Sequence, residues 1–169
     1  MLRQMMKTLA LLALCVSSVA AAEDWIERAE RLNDFAGRGW AFDIGRSLTD
    51  VTRLDKVLRQ EITERTNPHQ DGQLDEARVL YFDGLVLRVY FPAKDHTNLQ
   101  ITGVTITKPK WPVKNGLGVG SPWATVRQRL GEPNAKDATS AKYCGESDCV
   151  IFSLQENRVS KITWDLYHD

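Results

Sequence analysis

The chain has 169 residues, and its 22 lysines and arginines balance its 22 aspartates and glutamates at a formal net charge of zero. This balance lacks the basic excess that nucleic acid or an anionic membrane surface attracts, so we expect no nucleic-acid partner. The length suits one ordinary domain, or two small units that share a core.

The segment 1–22 predicts a cleavable secretory signal peptide. It has two basic residues, then an apolar stretch over 8–16, and then small residues that end in an A-x-A pattern. The apolar stretch is about half of the roughly 20 residues that a membrane-spanning helix needs. We therefore expect cleavage between Ala22 and Glu23, and a periplasmic or secreted protein.

A lipid anchor is the alternative fate of this segment. Leu12-Ala13-Leu14-Cys15 has the outline of a lipobox, in which the cysteine carries the lipid. The residue before that cysteine is normally small, whereas here it is Leu14. Ordinary cleavage is the favoured interpretation, and a lipid on Cys15 stays open.

Cleavage leaves two cysteines, Cys144 and Cys149, and two fewer basic residues, for a formal charge of −2. An even pair in an exported chain predicts a disulfide, and the four residues between the two cysteines suit a turn. A redox-active pair is the alternative, but such pairs usually have C-x-x-C spacing at a helix N-terminus. No later stretch is apolar enough to span a bilayer, so we expect no transmembrane segment in the mature chain.

Residues 23–42 predict an amphipathic N-terminal helix and its connection to the rest of the chain. Apolar residues recur there at intervals of three and four, and Gly37 and Gly39 end the pattern.

Residues 43–108 predict the first of two similar units. A helix is expected from residue 49 or 50 to about Arg65, because apolar residues again recur at helical intervals. Three strands are expected next, at 77–82, 85–91 and 99–107. Between the first two strands, Asp83-Gly84 is typical of a tight hairpin turn.

Residues 109–115 contain two prolines and no periodicity, so they predict a linker. Trp111 lies in this linker beside Lys110 and Lys114, so we expect Trp111 to be exposed and the three residues to contact a partner. An exposed tryptophan beside basic residues is a common anchor in protein interfaces, although a single instance is weak evidence.

Residues 116–169 predict the second unit. A short helix is expected from Ser121, as its N-cap, to Leu130, and Gly131 ends it. Three more strands are expected at 141–144, 149–154 and 158–166. The predicted fold class is therefore α+β, with an N-terminal helix followed by two units of one helix and a three-stranded antiparallel sheet.

The order of elements and a few residues suggest that the two units arose by duplication. Gly45 lies six residues before Val51, as Gly120 lies six residues before Val126. The segment 104–106 (VTI) also matches 162–164 (ITW) in the last strand of each unit. The alternative is coincidence, because identities between the units are few.

Residues 120–133 (GSPWATVRQRLGEP) resemble the G-x-(S/T)-x-x-x-V-x-x-x-L-G-x-P segment of the SmpA/OmlA (BamE-like) outer-membrane lipoproteins. Val150, Phe152, Arg158 and Val159 resemble the strands that follow that segment. Two such units in tandem would be similar in architecture to the β-lactamase-inhibitory proteins. The resemblance implies a binding or assembly module of the bacterial cell envelope rather than an enzyme. Without a clear lipobox, the lipid-anchored role of that family is not favoured.

No catalytic, cofactor-binding or metal-binding pattern stands out, so we expect no cofactor and no metal. The three histidines are far apart in the sequence and lie in polar or terminal settings, so we expect them at the surface. The leading hypothesis is a non-enzymatic protein that binds another envelope or secreted protein through its sheet face and loops, with an inhibitor or immunity protein as the narrower form. An envelope assembly factor is one alternative, and a periplasmic enzyme with a site built from distant residues is another.

Overall fold

The computed structural model describes residues 26–67 and 70–166, so the expected signal peptide and its cleavage site at Ala22 and Glu23 lie outside the described residues. The helices are α1 (26–38), α2 (Leu48–Thr52) and α3 (Trp123–Leu130). The strands are β1 (Arg59–Thr66), β2 (Leu74–Phe82), β3 (Leu85–Phe91), β4 (Gln100–Ile106), β5 (Ala135–Lys136), β6 (Ser140–Cys144), β7 (Cys149–Gln155) and β8 (Arg158–Asp165).

All eight strands form one antiparallel sheet in the order β1-β2-β3-β4-β8-β7-β6-β5. Each half of the chain contributes four consecutive strands, and the last strand of each half lies at the centre. There β4 pairs with β8, and Thr105 lies opposite Thr163. The prediction of two units, each with one helix and its own three-stranded sheet, is therefore wrong: the halves are joined into a single sheet.

The prediction that a helix continues to about Arg65 is also wrong beyond Thr52. Ser47 and Asp50 form a capping box at the start of α2, but the helix ends after five residues. From Arg59 to Thr66 the chain is instead strand β1, which pairs with β2 along its whole length. All eight residues of β1 are exposed, so no alternation of apolar and polar residues indicates a strand there.

The other strand predictions are confirmed to within a few residues. The hairpin of β2 and β3 turns at Asp83 and Gly84, and Gly84 has the positive φ of 76° that such turns favour. The predicted helix in the second half is also confirmed as α3. Its N-cap is Pro122 rather than Ser121, and no side chain caps it.

One face of the sheet, called here the covered face, packs against the helices and the 39–44 segment. Trp164 of β8 is fully buried and contacts the rings of Phe35 in α1 and Trp40, at centroid distances of 6.0 and 5.9 Å. In α3, Trp123 packs against Tyr143 of β6. One continuous core therefore crosses from the first half of the sheet to the second.

The predicted linker is part of this core. Val113 is buried and forms a bridge with Trp40, and Trp111 packs against the rings of Phe42 and Phe82. Lys114 begins a single 3-10 turn that leads toward the second half. The segment thus crosses the covered face instead of separating two bodies.

The duplication stays a prediction. Gly45 and Gly120 share a left-handed backbone, with φ of 77° and 93°, and each is followed by a helix. The strand segments matched in the sequence, 104–106 and 162–164, are direct neighbours across the centre of the sheet.

Candidate binding surface

The face of the sheet opposite the helices, called here the open face, consists of the alternate side chains of each strand. One row of this face runs through seven strands in register: Arg59, Tyr81, Val86, Thr105, Thr163, Ile151 and Lys142. Its central members are half-buried, because each contacts its neighbours within the sheet, whereas their counterparts on the covered face are buried. An antiparallel sheet commonly leaves one face free in this way.

The centre of the open face is weakly polar. The hydroxyl groups of Thr105 and Thr163 lie 3.4 Å apart where the two halves meet. Val86 flanks this pair on one side and Ile151 on the other. A band of methyl groups from both halves therefore crosses the middle of the sheet.

A side chain also crosses the junction of the two halves. Arg88 on β3 donates a hydrogen bond of 2.8 Å to Asp165 on β8, and Gly103 of β4 lies between them in register. A Cβ on Gly103 would lie 2.4 Å from the Arg88 guanidinium, so glycine is needed for this arginine to lie across β4. The charge of Arg88 is thereby paired within the face.

The β1 end of the open face has a paired charge cluster. The guanidinium of Arg59 lies 3.8 Å from the centre of the Tyr81 ring and 2.7 Å from the Glu61 carboxylate. The Tyr81 hydroxyl donates a hydrogen bond of 3.1 Å to the same carboxylate.

Unpaired positive charge lies on the second half of the open face. Lys142, on β6 near the far edge, and Lys161, on the central strand β8, are both exposed. Within residues 26–67 and 70–166, neither ammonium group takes part in an ion pair. The open face thus has a band of threonine and apolar side chains, with two unpaired lysines in its second half.

Trp111 does not provide the exposed anchor that we expected. It is 8% exposed, and its indole N–H donates a hydrogen bond of 2.8 Å to the Asp83 carbonyl. Lys110 binds the carboxylates of Asp55 and Asp83, and the hydrogen bond to Asp55 raises the pKa of Lys110. The expectation of exposure is therefore wrong for Trp111.

Lys114 also has a partner within the chain, the carboxylate of Asp34, at 2.9 Å. The three predicted contact residues thus help to hold the 109–115 segment on the fold. Contact of Lys110 or Lys114 with another protein stays a prediction.

The predicted disulfide is present. Cys144 and Cys149 are bonded and close the hairpin of β6 and β7, where they also pair in register. The loop between them contacts α1, because the Glu146 amide donates a hydrogen bond of 2.8 Å to the Asn33 side chain. The disulfide therefore lies beside the N-terminal helix as well as in the sheet.

A buried carboxylate that the sequence did not reveal lies at the start of β2. Asp75 is 1% exposed and accepts hydrogen bonds from the Tyr90 hydroxyl, the Ala93 amide and the side chains of Asn67 and Gln73. These bonds, that of Tyr90 foremost, lower the pKa of Asp75 to about 2. Burial and the bond to Asp75 raise the pKa of Tyr90 to about 12.

A second polar cluster lies next to it, on the covered side of the sheet. Glu76 is 6% exposed and contacts Arg78 and His96, with 2.9 Å between its carboxylate and His96 Nε2. Burial alone would raise the pKa of Glu76, but the hydrogen bonds from Arg78 and His96 outweigh burial and lower it. His96 keeps 42% of its side chain exposed, as expected for a surface histidine, and its ring packs edge-on against Phe91.

A cavity with a volume of about 1040 Å³ does not contain these clusters. It lies between the 37–46 segment and residues 95–101, near Asp148 and Leu166. Its lining includes neither Asp75 nor Glu76 nor His96. In the part of the chain that the structure describes, no three His, Cys, Asp or Glu side chains converge on a metal position.

Among the helices of the described residues, none has the length and apolarity needed to cross a membrane. Comparison of the chain with protein-family models, with curated proteins and with solved structures finds no match. The resemblance to the SmpA/OmlA lipoproteins therefore depends on the residues of 120–133 and the strands after them alone.

Proposed function

We propose that the protein is an exported, non-enzymatic module of the bacterial cell envelope that binds another protein through the open face. The observation that carries the proposal is an eight-stranded sheet with one face that no helix of the described residues covers. Half-buried apolar side chains surrounded by polar and charged groups are the usual composition of a protein interface.

The charge on the open face favours a partner with an acidic surface. Arg59 and Arg88 are paired with Glu61 and Asp165, whereas the ammonium groups of Lys142 and Lys161 have no acidic partner in the described residues. Carboxylates of a partner would meet these two lysines while its apolar groups cover the central band. Complementary charge of this kind speeds association and excludes wrong partners.

Export is supported by the N-terminal sequence and by the disulfide between Cys144 and Cys149. Disulfides persist in oxidising compartments such as the periplasm and the extracellular space.

A binding role is favoured over an enzyme because the two buried carboxylates lie apart from the cavity of about 1040 Å³. Asp75 and Glu76 are satisfied by hydrogen bonds within the chain and do not line that cavity. Asp95 does line it, but hydrogen bonds from Thr97 already satisfy its carboxylate and lower its pKa. An active site usually combines such groups with a pocket that holds the substrate.

The test is capture of a partner by the purified protein from envelope extract of the organism that encodes it. We expect the variant with both Lys142→Glu and Lys161→Glu to bind that partner at least about 10-fold more weakly, because two attractive charges become repulsive. Isothermal titration calorimetry with the purified partner would measure the change, and the wild-type affinity should fall as salt is added.

The matched control is the variant with Arg31→Glu and Arg129→Glu, which makes the same charge change on exposed positions of α1 and α3. It should bind as the wild type does. Equal loss in both variants, or no loss in the first, would contradict binding through the open face. An inhibitor would abolish an activity of the captured partner, whereas an assembly factor would promote its insertion or folding.

A further inference from the structure

The free edge of β1 is unusually open to pairing. β1 pairs on one side with β2, without a bulge, and its other side is the edge of the sheet. It contains neither proline nor glycine, the residues that often interrupt an edge. The opposite edge strand, β5, has only two residues. Backbone N–H and C=O groups along the outer side of β1 therefore remain available for another strand.

The sequence around Gln60 is complementary to itself when read in the opposite direction. Residues 58–62 read Leu-Arg-Gln-Glu-Ile: apolar, basic, polar, acidic, apolar. In an antiparallel pair of two copies centred on Gln60, Leu58 lies opposite Ile62 and Arg59 lies opposite Glu61. Each of these pairs occurs twice, because the two copies are related by a two-fold axis.

The apolar pairs would cover the most exposed large hydrophobic side chains of the region. Leu58 is 60% exposed and Ile62 is 49% exposed, although both lie on the side of the sheet that carries the helices. The helices do not extend over β1, so no element of the described chain covers these two side chains. In the paired strands, Leu58 of each copy would contact Ile62 of the other.

The charged pairs would lie on the open face. Arg59 and Glu61 already form an ion pair of 2.7 Å within one chain, and their side chains remain 60% and 50% exposed. Pairing places each guanidinium between two carboxylates, one from each copy, in an alternating square of charges. Such a network of charges stabilises the dimer more than an isolated exposed ion pair would.

Other registers of the same two strands are less favourable. Centred on Ile62, the pairing brings Arg59 opposite Arg65, which is repulsive. Centred on Thr63, it brings Ile62 opposite Glu64, so the apolar side chain meets a charge. Centring on Glu61 brings two glutamates together. Only the register centred on Gln60 matches apolar with apolar and basic with acidic along the ladder.

We propose that two copies of the chain associate through β1, with Gln60 on the two-fold axis, so that their sheets become one continuous sheet. The axis is perpendicular to the sheet, and the two open faces therefore lie on the same side. This association goes beyond the proposed binding function and does not depend on it.

The first test is a disulfide crosslink on the axis. In the protein purified after expression of the full chain, we expect Gln60→Cys to form a covalent dimer under mild oxidation. The Cα atoms of opposite residues in an antiparallel pair are about 4.5 to 5.5 Å apart, which suits a disulfide. Ile62→Cys, which would lie opposite Leu58, is the matched control and should crosslink far less.

The second test uses charge reversal on the same edge. Arg59→Glu and Glu61→Arg should each raise the dimer dissociation constant at least about 10-fold, measured by analytical ultracentrifugation, because like charges then oppose each other. An equimolar mixture of the two variants should regain dimers. In the mixed dimer, both carboxylates of the Arg59→Glu copy face the two guanidinium groups of the Glu61→Arg copy. Loss of an ion pair within one chain cannot produce this rescue.

Arg65→Glu distinguishes the registers, because Arg65 opposes Glu61 only when the pairing is centred on Thr63. We expect this variant to dimerise as the wild type does. The proposal is overturned if the wild type stays monomeric at all concentrations and Gln60→Cys does not crosslink, or if the mixed variants remain monomeric. The wild type would also stay monomeric if the β1 edge binds an extended segment of another protein instead of a second copy. In that case the Arg59→Glu variant should no longer capture that protein.

Discussion

Two glycines allow close contacts that a side chain would block. A Cβ on Gly39 would lie 2.6 Å from the Phe35 carbonyl oxygen and 2.8 Å from the Trp164 ring, whose N–H donates a hydrogen bond of 2.9 Å to that oxygen. Gly103 has the same role on the open face, where Arg88 crosses it. In both cases the absent side chain makes room for a contact between the two halves of the chain.

Because of Asp75, we expect the stability of the protein to decrease at acidic pH. Its pKa of about 2 lies below the ordinary value of 3.8, so the folded state favours the ionised form. The stabilisation is present above about pH 4 and is lost as the pH falls toward about 2, where the folded protein must also take up the proton.

We expect Asp75→Asn to lower the free energy of unfolding at about pH 6, because the four donors then face a neutral side chain. The difference from the wild type should shrink as the pH falls from about 4 to about 2. Urea unfolding followed by far-UV circular dichroism at each pH measures this difference. The control is Asp71→Asn, at an exposed aspartate of the preceding turn, which should show no such pH dependence. A stability difference for Asp75→Asn that stays constant with pH would contradict the prediction.

At the scale of elements, the disulfide hairpin and α1 support each other. The loop closed by Cys144 and Cys149 contains Gly145, where a Cβ would lie 2.4 Å from the Asn33 side chain. The loop thus fits closely against the helix. Loss of the disulfide should loosen α1 as well as the hairpin.

The double variant Cys144→Ser and Cys149→Ser should lose about 2 kcal/mol of stability, the cost expected for so short a closed loop in the chain-entropy estimate. Hydrogen exchange should accelerate in α1 more than in α3, because α1 contacts the loop through Asn33. Asn33→Ala keeps the disulfide and is the control: it should accelerate exchange in α1 alone. Equal acceleration in both helices of the double variant would indicate global destabilisation instead.

The elements that could be predicted are those in which the sequence pattern itself indicates which side chains are buried and which are exposed. In β2 and β3, alternation around Asp83-Gly84 indicates both strands and their turn. β1 shows no such pattern, because it is exposed on both sides. Its Ile62 and the preceding Leu58 instead imitate a helical period. The burial of Trp111 could not be predicted, because its lysine neighbours bind aspartates that are distant in the sequence.

At the scale of the whole molecule, the pairing of β4 with β8 joins both halves into one core. Val104 lies opposite Trp164 and Ile106 opposite Ile162, and all four are buried. This pairing could not be predicted, because no local pattern says which strands of two similar halves become neighbours. The open face could be predicted only in part for the same reason. The alternation within each strand indicates which residues lie on this face, but only the strand pairing brings Val86 and Ile151 into one band.

A shared core predicts that the halves unfold together. Leu87→Ala in β3 should cost about 2 to 5 kcal/mol, because Leu87 is fully buried. The slowest-exchanging amides of β7, in the other half, should then exchange faster by the same factor as those of β3. NMR hydrogen exchange measures both strands in one experiment.

The control is Leu74→Ala, which removes the same atoms from a side chain that is 43% exposed. It should change the exchange of either strand little. If Leu87→Ala accelerates β3 and leaves β7 unchanged, the two halves are separate cooperative units.

The position of β8 in the sheet also has a consequence for the order in which the molecule is made. β8 is the last of the eight strands to leave the ribosome, yet it lies between β4 and β7 at the centre of the sheet. Until it arrives, β4 and β7 each present an unpaired edge, and Trp164 is missing from the core that Phe35 and Trp40 will join. The two central strand pairs, β4 with β8 and β8 with β7, therefore form only after β8 has been synthesised.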